Sequence, residues 1–373
     1  PRHDPGFVSQ RRVSRYMGTS AASDNRSTNL RILLVADTHI GFDLPLRPRV
    51  ERRRRGHDFV ANFQRALQPA LRGEVDLVLH GGDLFDRSRV PPTLVDLAME
   101  PLVRVAESGT PVYVVPGNHE RARIPLHLWS AHPNLHIYHE PRTFVHHGPG
   151  GTVALVGFPF ARRIRDRFPD LVRQASAGAP PADYSLLCLH QTVEGSQVGP
   201  GDFTFRRGRD IIPGRELPAG FDAILSGHIH RPQMLTHDLA ARRLAAPVIY
   251  PGSVERTSFA ERDEDKGYAI VTLGPPGEAV RVEFYSLPAR PMVSLVLDPP
   301  APDRAALEGL LVSHLRELDP DAIVRVQLCG PNAAASEEAL TAACLRGLAP
   351  PTMNIDLARS SFNRARQAAA FRV

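Results

Sequence analysis

The sequence predicts an α/β protein in which a main unit is followed by a smaller α/β unit. Three observations predict it. From residue 30, short apolar runs alternate with segments of helical period, as in a sheet covered by helices. Farther along, strands outnumber helices, so a second sheet packed against the first is expected. A proline-rich stretch, SLPARPMVSLVLDPPAPD (286–303), then marks a boundary before a new alternation of strands and helices.

RILLVAD (31–37) is an apolar run ending in a polar turn, the pattern of a buried strand. HDFVANFQRALQPALR (57–72) spaces Phe59, Phe63, Leu67 and Leu71 four apart, which lines one face of a helix. VDLVLHGGD (75–83) is the next strand. TLVDLAMEPLVRVAES (93–108) is the next helix, with a kink expected at Pro101, which lacks a backbone N–H. PVYVVPGNH (111–119) is the third strand, and others follow at 152–158, 184–190, 221–227, 248–250, 268–273 and 280–286. Beyond the boundary the pattern reads strand 292–297, helix 303–318, strand 322–328, helix 336–347 and strand 352–357. The expected division is a disordered tail at 1–29, a main domain at 30–287, a small domain at 291–360 and a second tail at 361–373.

At 373 residues and 41.0 kDa the chain is long enough for two domains whose cores need no disulfide staples. Lys+Arg exceed Asp+Glu by 45 − 40 = +5. The excess is almost all arginine, since Lys266 is the single lysine. Arginine suits phosphate recognition because its fork bonds two oxygens at once. No apolar run approaches the ~18 residues of a spanning helix, so no membrane association is expected. Residues 1–29 hold five Arg against two Asp without a continuous apolar core, and are not read as a secretory signal. Cys188, Cys329 and Cys344 lie far apart with no CxxC, which excludes a disulfide framework and a thiolate zinc site. They are expected to be small buried hydrophobes, in a reducing and hence cytoplasmic setting.

Five short segments carry nearly all the groups of ligand character: Asp37-Thr38-His39, Gly81-Gly82-Asp83, Gly117-Asn118-His119-Glu120, His190, and Gly227-His228-Ile229-His230. Each alone reads as a turn, a helix cap or a core histidine. Together they follow predicted strands, and ligands of open α/β sheets collect at strand carboxyl ends. The set combines carboxylates, an amide and imidazoles without thiolate, which suits Mn²⁺, Fe or Zn²⁺. Its size suits two ions, with Asp83 the natural bridge. Two such ions ~3.5–4 Å apart clamp the attacking and leaving oxygens of a phosphoryl displacement.

In this order the motifs D-x-H, G-D, G-N-H-[DE], H and G-H-x-H resemble the calcineurin-like metallophosphoesterase superfamily. The strings ADTHIGFD, GGDLFDRSRVPP, PGNHE, LCLHQTVEG, SGHIHRPQ and YPGSVERTSFAERDEDKGY resemble the SbcD-type DNA double-strand-break repair nucleases. That resemblance covers about 31–290 and continues more weakly through 291–360, where the family has a small DNA-capping domain. It implies a four-layer sandwich of two mixed sheets flanked by helices. It implies that Asp37, His39, Asp83 and His230 hold one metal, and Asp83, Asn118, His190 and His228 the other. His119, by the same resemblance, faces the scissile phosphate and protonates the leaving oxygen or stabilises the transition state, and a metal-bridging water is the nucleophile. The implied function is a metal-dependent DNA nuclease, exonuclease and endonuclease, with Mn²⁺ expected to support the highest activity. A general or cyclic-nucleotide phosphodiesterase, or a phosphoprotein phosphatase, is the rival reading on the same metals.

For DNA, the basic segment RPRVERRRR (47–55) is the first candidate, with Arg52, Arg53, Arg54 and Arg55 beside the first metal loop. ARRIRDRF (161–168) and RRGRD (206–210) are further arginine clusters. By the resemblance, the loop after the H-x-H motif lies near the active site, where Ser253 or Arg256 is expected to touch phosphate or support ligands. Expected partners are DNA, a second copy of the chain and an SbcC-type SMC-like coiled-coil ATPase. The family's ATPase-docking segment lies beyond the capping domain and is expected to be short, absent or truncated in a chain ending at Val373.

Overall fold

The computed structural model describes residues 29–44, 53–120, 132–275, 277–299 and 303–358. The expectations for the tails 1–28 and 361–373, and for Arg52, lie outside the described residues.

In chain order the strands are β1 (Leu30–Val35), β2 (Leu77–His80), β3 (Val112–Val114), β4 (Leu135–Ile137), β5 (Arg142–Gly148), β6 (Gly151–Gly157), β7 (Tyr184–His190), the two-residue β8 (Thr192–Val193), β9 (Gln197–Val198), β10 (Phe203–Thr204) and β11 (Ile211–Ile212), then β12 (Ala223–Gly227), β13 (Gln233–His237), β14 (Arg243–Tyr250), β15 (Gly267–Leu273), β16 (Arg281–Ser286), β17 (Met292–Leu297), β18 (Ile323–Leu328) and β19 (Asn354–Leu357). The helices are α1 (Arg55–Ala66), α2 (Gln68–Leu71), α3 (Pro92–Glu107), α4 (Ile164–Ser176), α5 (Arg304–Arg316), α6 (Ala333–Ala339) and α7 (Ala342–Leu348). Among the described residues no helix is long and apolar enough to cross a membrane.

Two six-stranded mixed sheets form the main body. The first runs β16-β15-β1-β2-β3-β4, with β1 to β4 parallel and β15 antiparallel to β1. The second runs β13-β14-β12-β7-β6-β5, with β14, β12, β7 and β6 parallel. Alternation along the strands sorts their side chains. Ile32, Leu34 and Leu79 face the second sheet and pack with Leu155, Leu186 and Leu225. Leu33, Val35 and Val78 face outward, where Phe59 and Phe63 of α1 and Leu102 of α3 cover them. Ile164, Phe168 and Leu171 of α4 cover the outer face of the second sheet. The layers are therefore helix, sheet, sheet, helix.

A third sheet, β17-β18-β19, is wholly parallel and has its own core around Leu307, Leu311, Val324, Val326 and Leu345. Arg290 ties it to the main body. Its guanidinium donates to Asp58 Oδ2 at 2.9 Å on α1, and to Asn354 Oδ1, Asp321 O and Thr352 O at 2.6–2.7 Å on the other side.

Several boundaries differ from expectation. The helix foreseen over 57–72 breaks at Leu67, because Pro69 cannot donate to the Arg65 carbonyl. The helix foreseen over 336–347 is two helices; Thr341 accepts from Cys344 N at 3.1 Å and so caps a new start. Helix α3 runs through Pro101. Strands β4, β5 and β13 and helix α4 were not foreseen; α4 coincides with one of the arginine clusters. Cys188 is buried as expected, but Cys329 is exposed, since it lies just past the end of β18.

Candidate metal centre

The ligand-type residues sit where parallel strands end. Asp37 and His39 follow β1, Asp83 follows β2, and Asn118 and His119 follow β3, three neighbours of the first sheet. His190 ends β7, and His228 and His230 follow its neighbour β12 in the second sheet. The two rows meet at the gap between the sheets. Backbone bonds extend the β1–β2 pairing into the loops: Asp37 N donates to Gly82 O at 2.9 Å, and His39 N to Asp83 O at 3.0 Å. Gly82 has φ +105°, and a Cβ there would overlap His190 Nδ1. Asp37, His39, Asp83 and His228 all hold positive φ, between 43° and 84°. Such conformations cost roughly 1–3 kcal/mol each and persist where surrounding structure enforces them.

Three trios bring one ligand atom per residue within 4.8 Å of one another: Asp37, His39 and His230; Asp83, His190 and His228; and His39, Asp83 and His119. His39 Nε2 lies 3.1 Å from His230 Nε2, and His228 Nδ1 lies 3.2 Å from His190 Nε2. Asn118 Oδ1 is 3.2 Å and Asp83 Oδ2 3.4 Å from that same His190 nitrogen. Asp83 thus stands between the two histidine pairs. His39 Nδ1 is buried and has no hydrogen-bond partner among the described residues. Imidazole nitrogens aimed at each other around buried carboxylates need a cation or shared protons to be satisfied, and this oxygen and nitrogen set fits two divalent ions.

The electrostatics show the same demand. Burial pushes Asp37 up, to about 6, against the pull of His230 and His190. Burial also opposes ionisation of Asp83, but His190, His39 and His119 outweigh it and hold this carboxyl far below the usual range. Burial acts to lower His190, yet Asp83 and Asp37 lift it to about 9. His228 falls to about 3 through burial and the neighbouring His190.

His119, a member of the third trio, is anchored from outside it. Its Nδ1 lies 2.6 Å from the Asp86 carbonyl, so that nitrogen carries the hydrogen, and Nε2 is left 3.8 Å from Asp83 Oδ2.

Sequence reasoning missed the residues that hold the ligands. Glu120 accepts backbone N–H groups from Asp83 at 2.9 Å, Phe85 at 3.0 Å and Gly117 at 2.6 Å, which locks two ligand loops together. Glu261 Oε1 lies 3.4 Å from His230 Nδ1 and accepts from Thr257 Oγ1 at 2.5 Å. Lys266 is buried, pairs with Glu261 at 2.7 Å and Glu264 at 2.9 Å, and donates to His230 O at 2.8 Å. Only the acid of the G-N-H-E string had a local signal.

The expected DNA-contacting arginines have partners inside the chain. Arg53 pairs with Asp58 at 2.6 Å and Asp321 at 3.0 Å, Arg54 with Asp43, and Arg55 donates to Arg256 O. Arg256 spends its guanidinium on Glu264 O at 3.1 Å and Arg290 O at 3.0 Å, bracing its loop instead of facing outward. Ser253 is buried and donates to Glu255 O at 2.8 Å.

A DNA double-strand break repair protein Mre11 of Haloferax volcanii is 31% identical over 80% of this chain and 61% of its own. The Mre11 of Methanosarcina mazei is 26% identical over 81% of this chain and 45% of its own. The chain therefore spans about half the length of these relatives. Among solved structures, a purple acid phosphatase from yellow lupin seeds aligns with a TM-score of 0.44 at 14% identity, over 70% of this chain and 52% of that one. The segment that carries the strand ends and every ligand-type residue, 30–232, matches the calcineurin-like phosphoesterase family, and the chain belongs to that family.

Proposed function

We propose that the chain is a metal-dependent DNA nuclease that hydrolyses phosphodiester bonds in double-strand-break repair. The convergence of seven ligand-type side chains from five loops, with His119 beside them, carries this reading. The Mre11 relatives supply the substrate class.

Asp37, His39, Asp83 and His230 would hold one ion, and Asp83, Asn118, His190 and His228 the other, with Asp83 shared. Bound there, two divalent ions, Mn²⁺ foremost, supply Lewis-acid stabilisation to the phosphoryl oxygens. The chain's own residues do the rest. Glu120 and the β1–β2 bonds hold the ligand loops rigid before substrate arrives. His119, anchored through Nδ1, presents Nε2 at the partly exposed rim; as the imidazolium, protonated on both nitrogens, it would pass the Nε2 proton to the leaving oxygen and return to the neutral Nδ1–H form. The third sheet serves as a cap that handles duplex ends. DNA, an SbcC-type coiled-coil ATPase and a second copy of the chain are its partners, and the cytoplasm its location.

The test is digestion of end-labelled single- and double-stranded DNA by the isolated chain in Mn²⁺ and in EDTA, with bis-p-nitrophenyl phosphate alongside. Metal-dependent DNA cleavage is expected. Hydrolysis of the small diester with both DNAs untouched would replace the nuclease by the general phosphodiesterase.

A further inference from the structure

A cleft of about 500 Å³ opens between the metal-centre side of the main body and the third sheet. Its volume lies in the range of small-ligand sites. One wall carries Phe42, Arg54 and Arg55, just beyond the Asp37–His39 loop; Phe259 adds to it from the turn that bears Glu261. The other carries Arg325 of β18 and Ile355 of β19.

The ion pairs leave a net positive charge. Arg54 is matched by Asp43, and Arg325 by Asp356 at 3.5 Å. Arg53, also on the wall, is matched by Asp58 and Asp321. Among the described residues no carboxylate lies at ion-pair distance from the Arg55 guanidinium, although Glu255, Asp43, Asp58 and Glu261 act on its charge from farther off. Among the described residues the buried Nε groups of Arg54 and Arg55 have no acceptor, an unmet demand for oxygen at this wall. Aromatic surface lies beside the charge: the Arg325 guanidinium sits 4.0 Å from the Phe259 ring centre, and that of Arg55 4.9 Å from Phe42. Flat surfaces of rings and guanidinium groups are what an unpaired base stacks on.

We propose that this cleft is a nucleotide site, with the phosphate held on Arg55 and the base against the Phe259–Arg325 pair. For its substrate this rests on the nuclease reading. The loop 255–261 joins the two places: Arg55 donates to Arg256 O, and Glu261 meets His230. A strand frayed from a duplex end can therefore be gripped in the cleft while its neighbouring phosphate lies at the metal centre.

The full chain in EDTA removes phosphate binding through metal from the measurement. Two probes are titrated: dAMP, and an eight-residue oligothymidine carrying one 5-iododeoxyuridine, which is then photo-crosslinked and mapped by mass spectrometry. Crosslinks at Phe259 or Phe42 are expected. Phe259→Ala and Arg55→Gln should each weaken the oligonucleotide by about tenfold. Ile355→Trp, which narrows the cleft from the side remote from the ligand loops, should do the same. Mn²⁺ stoichiometry of each variant checks that it is folded. Loss of dAMP binding in the same variants supports a site that takes free nucleotides too, and binding of the oligonucleotide alone supports a strand-only site. Crosslinks confined elsewhere, or unchanged affinity in all three variants, overturn the proposal. Digestion of labelled DNA by the unaltered chain in Mn²⁺ separates the two readings, since cleavage with no cleft crosslink removes this site and leaves the nuclease standing.

Discussion

His119 has one nitrogen committed to the Asp86 carbonyl and the other turned to the rim of the centre. His119→Ala should therefore lower turnover about 10²–10⁴-fold while Mn²⁺ content and DNA affinity stay near the parent values. Measured metal loss in parallel with activity would make His119 a ligand instead. His190, lifted to about 9, carries a proton in the metal-free chain near neutral pH and must lose it to ligate. Metal affinity should rise as pH climbs toward 9, by up to about tenfold per unit for one proton released. Calorimetry in buffers of different ionisation enthalpy counts that proton; a count of zero contradicts the assignment. Glu261 orients His230, so Glu261→Ala should cost about 10–100-fold in Mn²⁺ affinity, with Glu261→Gln recovering part through its remaining acceptor oxygen.

At the scale of elements, the centre depends on turns that only particular residues can make. Gly82→Ala combines positive φ with overlap against His190. Strain of at least about 1–3 kcal/mol should lower the melting temperature, and displacement of His190 should reduce bound metal toward about one ion per chain by elemental analysis. Much of this was legible in the chain. Apolar runs such as RILLVAD and VDLVLHGGD announce buried parallel strands, and their polar ends announce the loops that converge. Helix α4 is hard to see in the sequence because its arginines are interleaved with Ile164, Phe168, Leu171 and Ala175, the residues whose helical spacing marks its buried face. Strands β4 and β13 escaped because short edge strands have little pattern of their own. The Glu261–His230 contact crosses 31 residues, and no local spacing encodes it.

Across the whole molecule, the buried Arg290 couples the two bodies, beside the Arg53–Asp321 pair and the Arg325–Phe259 contact. Arg290→Met leaves Asp58 with Arg53 alone and strips the acceptors of the third sheet. A loss of about 3 kcal/mol is expected in denaturant unfolding, with the third sheet held more loosely against the main body in solution scattering. If duplex handling lies in that coupling, this variant should lose activity on duplex ends more than on single strands. Equal losses on both would place the third sheet outside substrate handling.

Lys266 gives the centre an unplanned reporter. It is the chain's single lysine, and it lies under Glu261 and Glu264 with a side chain 1% exposed. Acylating reagents that seek amines find no other lysine to modify and cannot reach this one while the fold holds. The rate at which Lys266 takes up such a label therefore measures opening of the floor beneath His230. Added Mn²⁺ should slow that uptake, a readout of metal site integrity that requires no substrate.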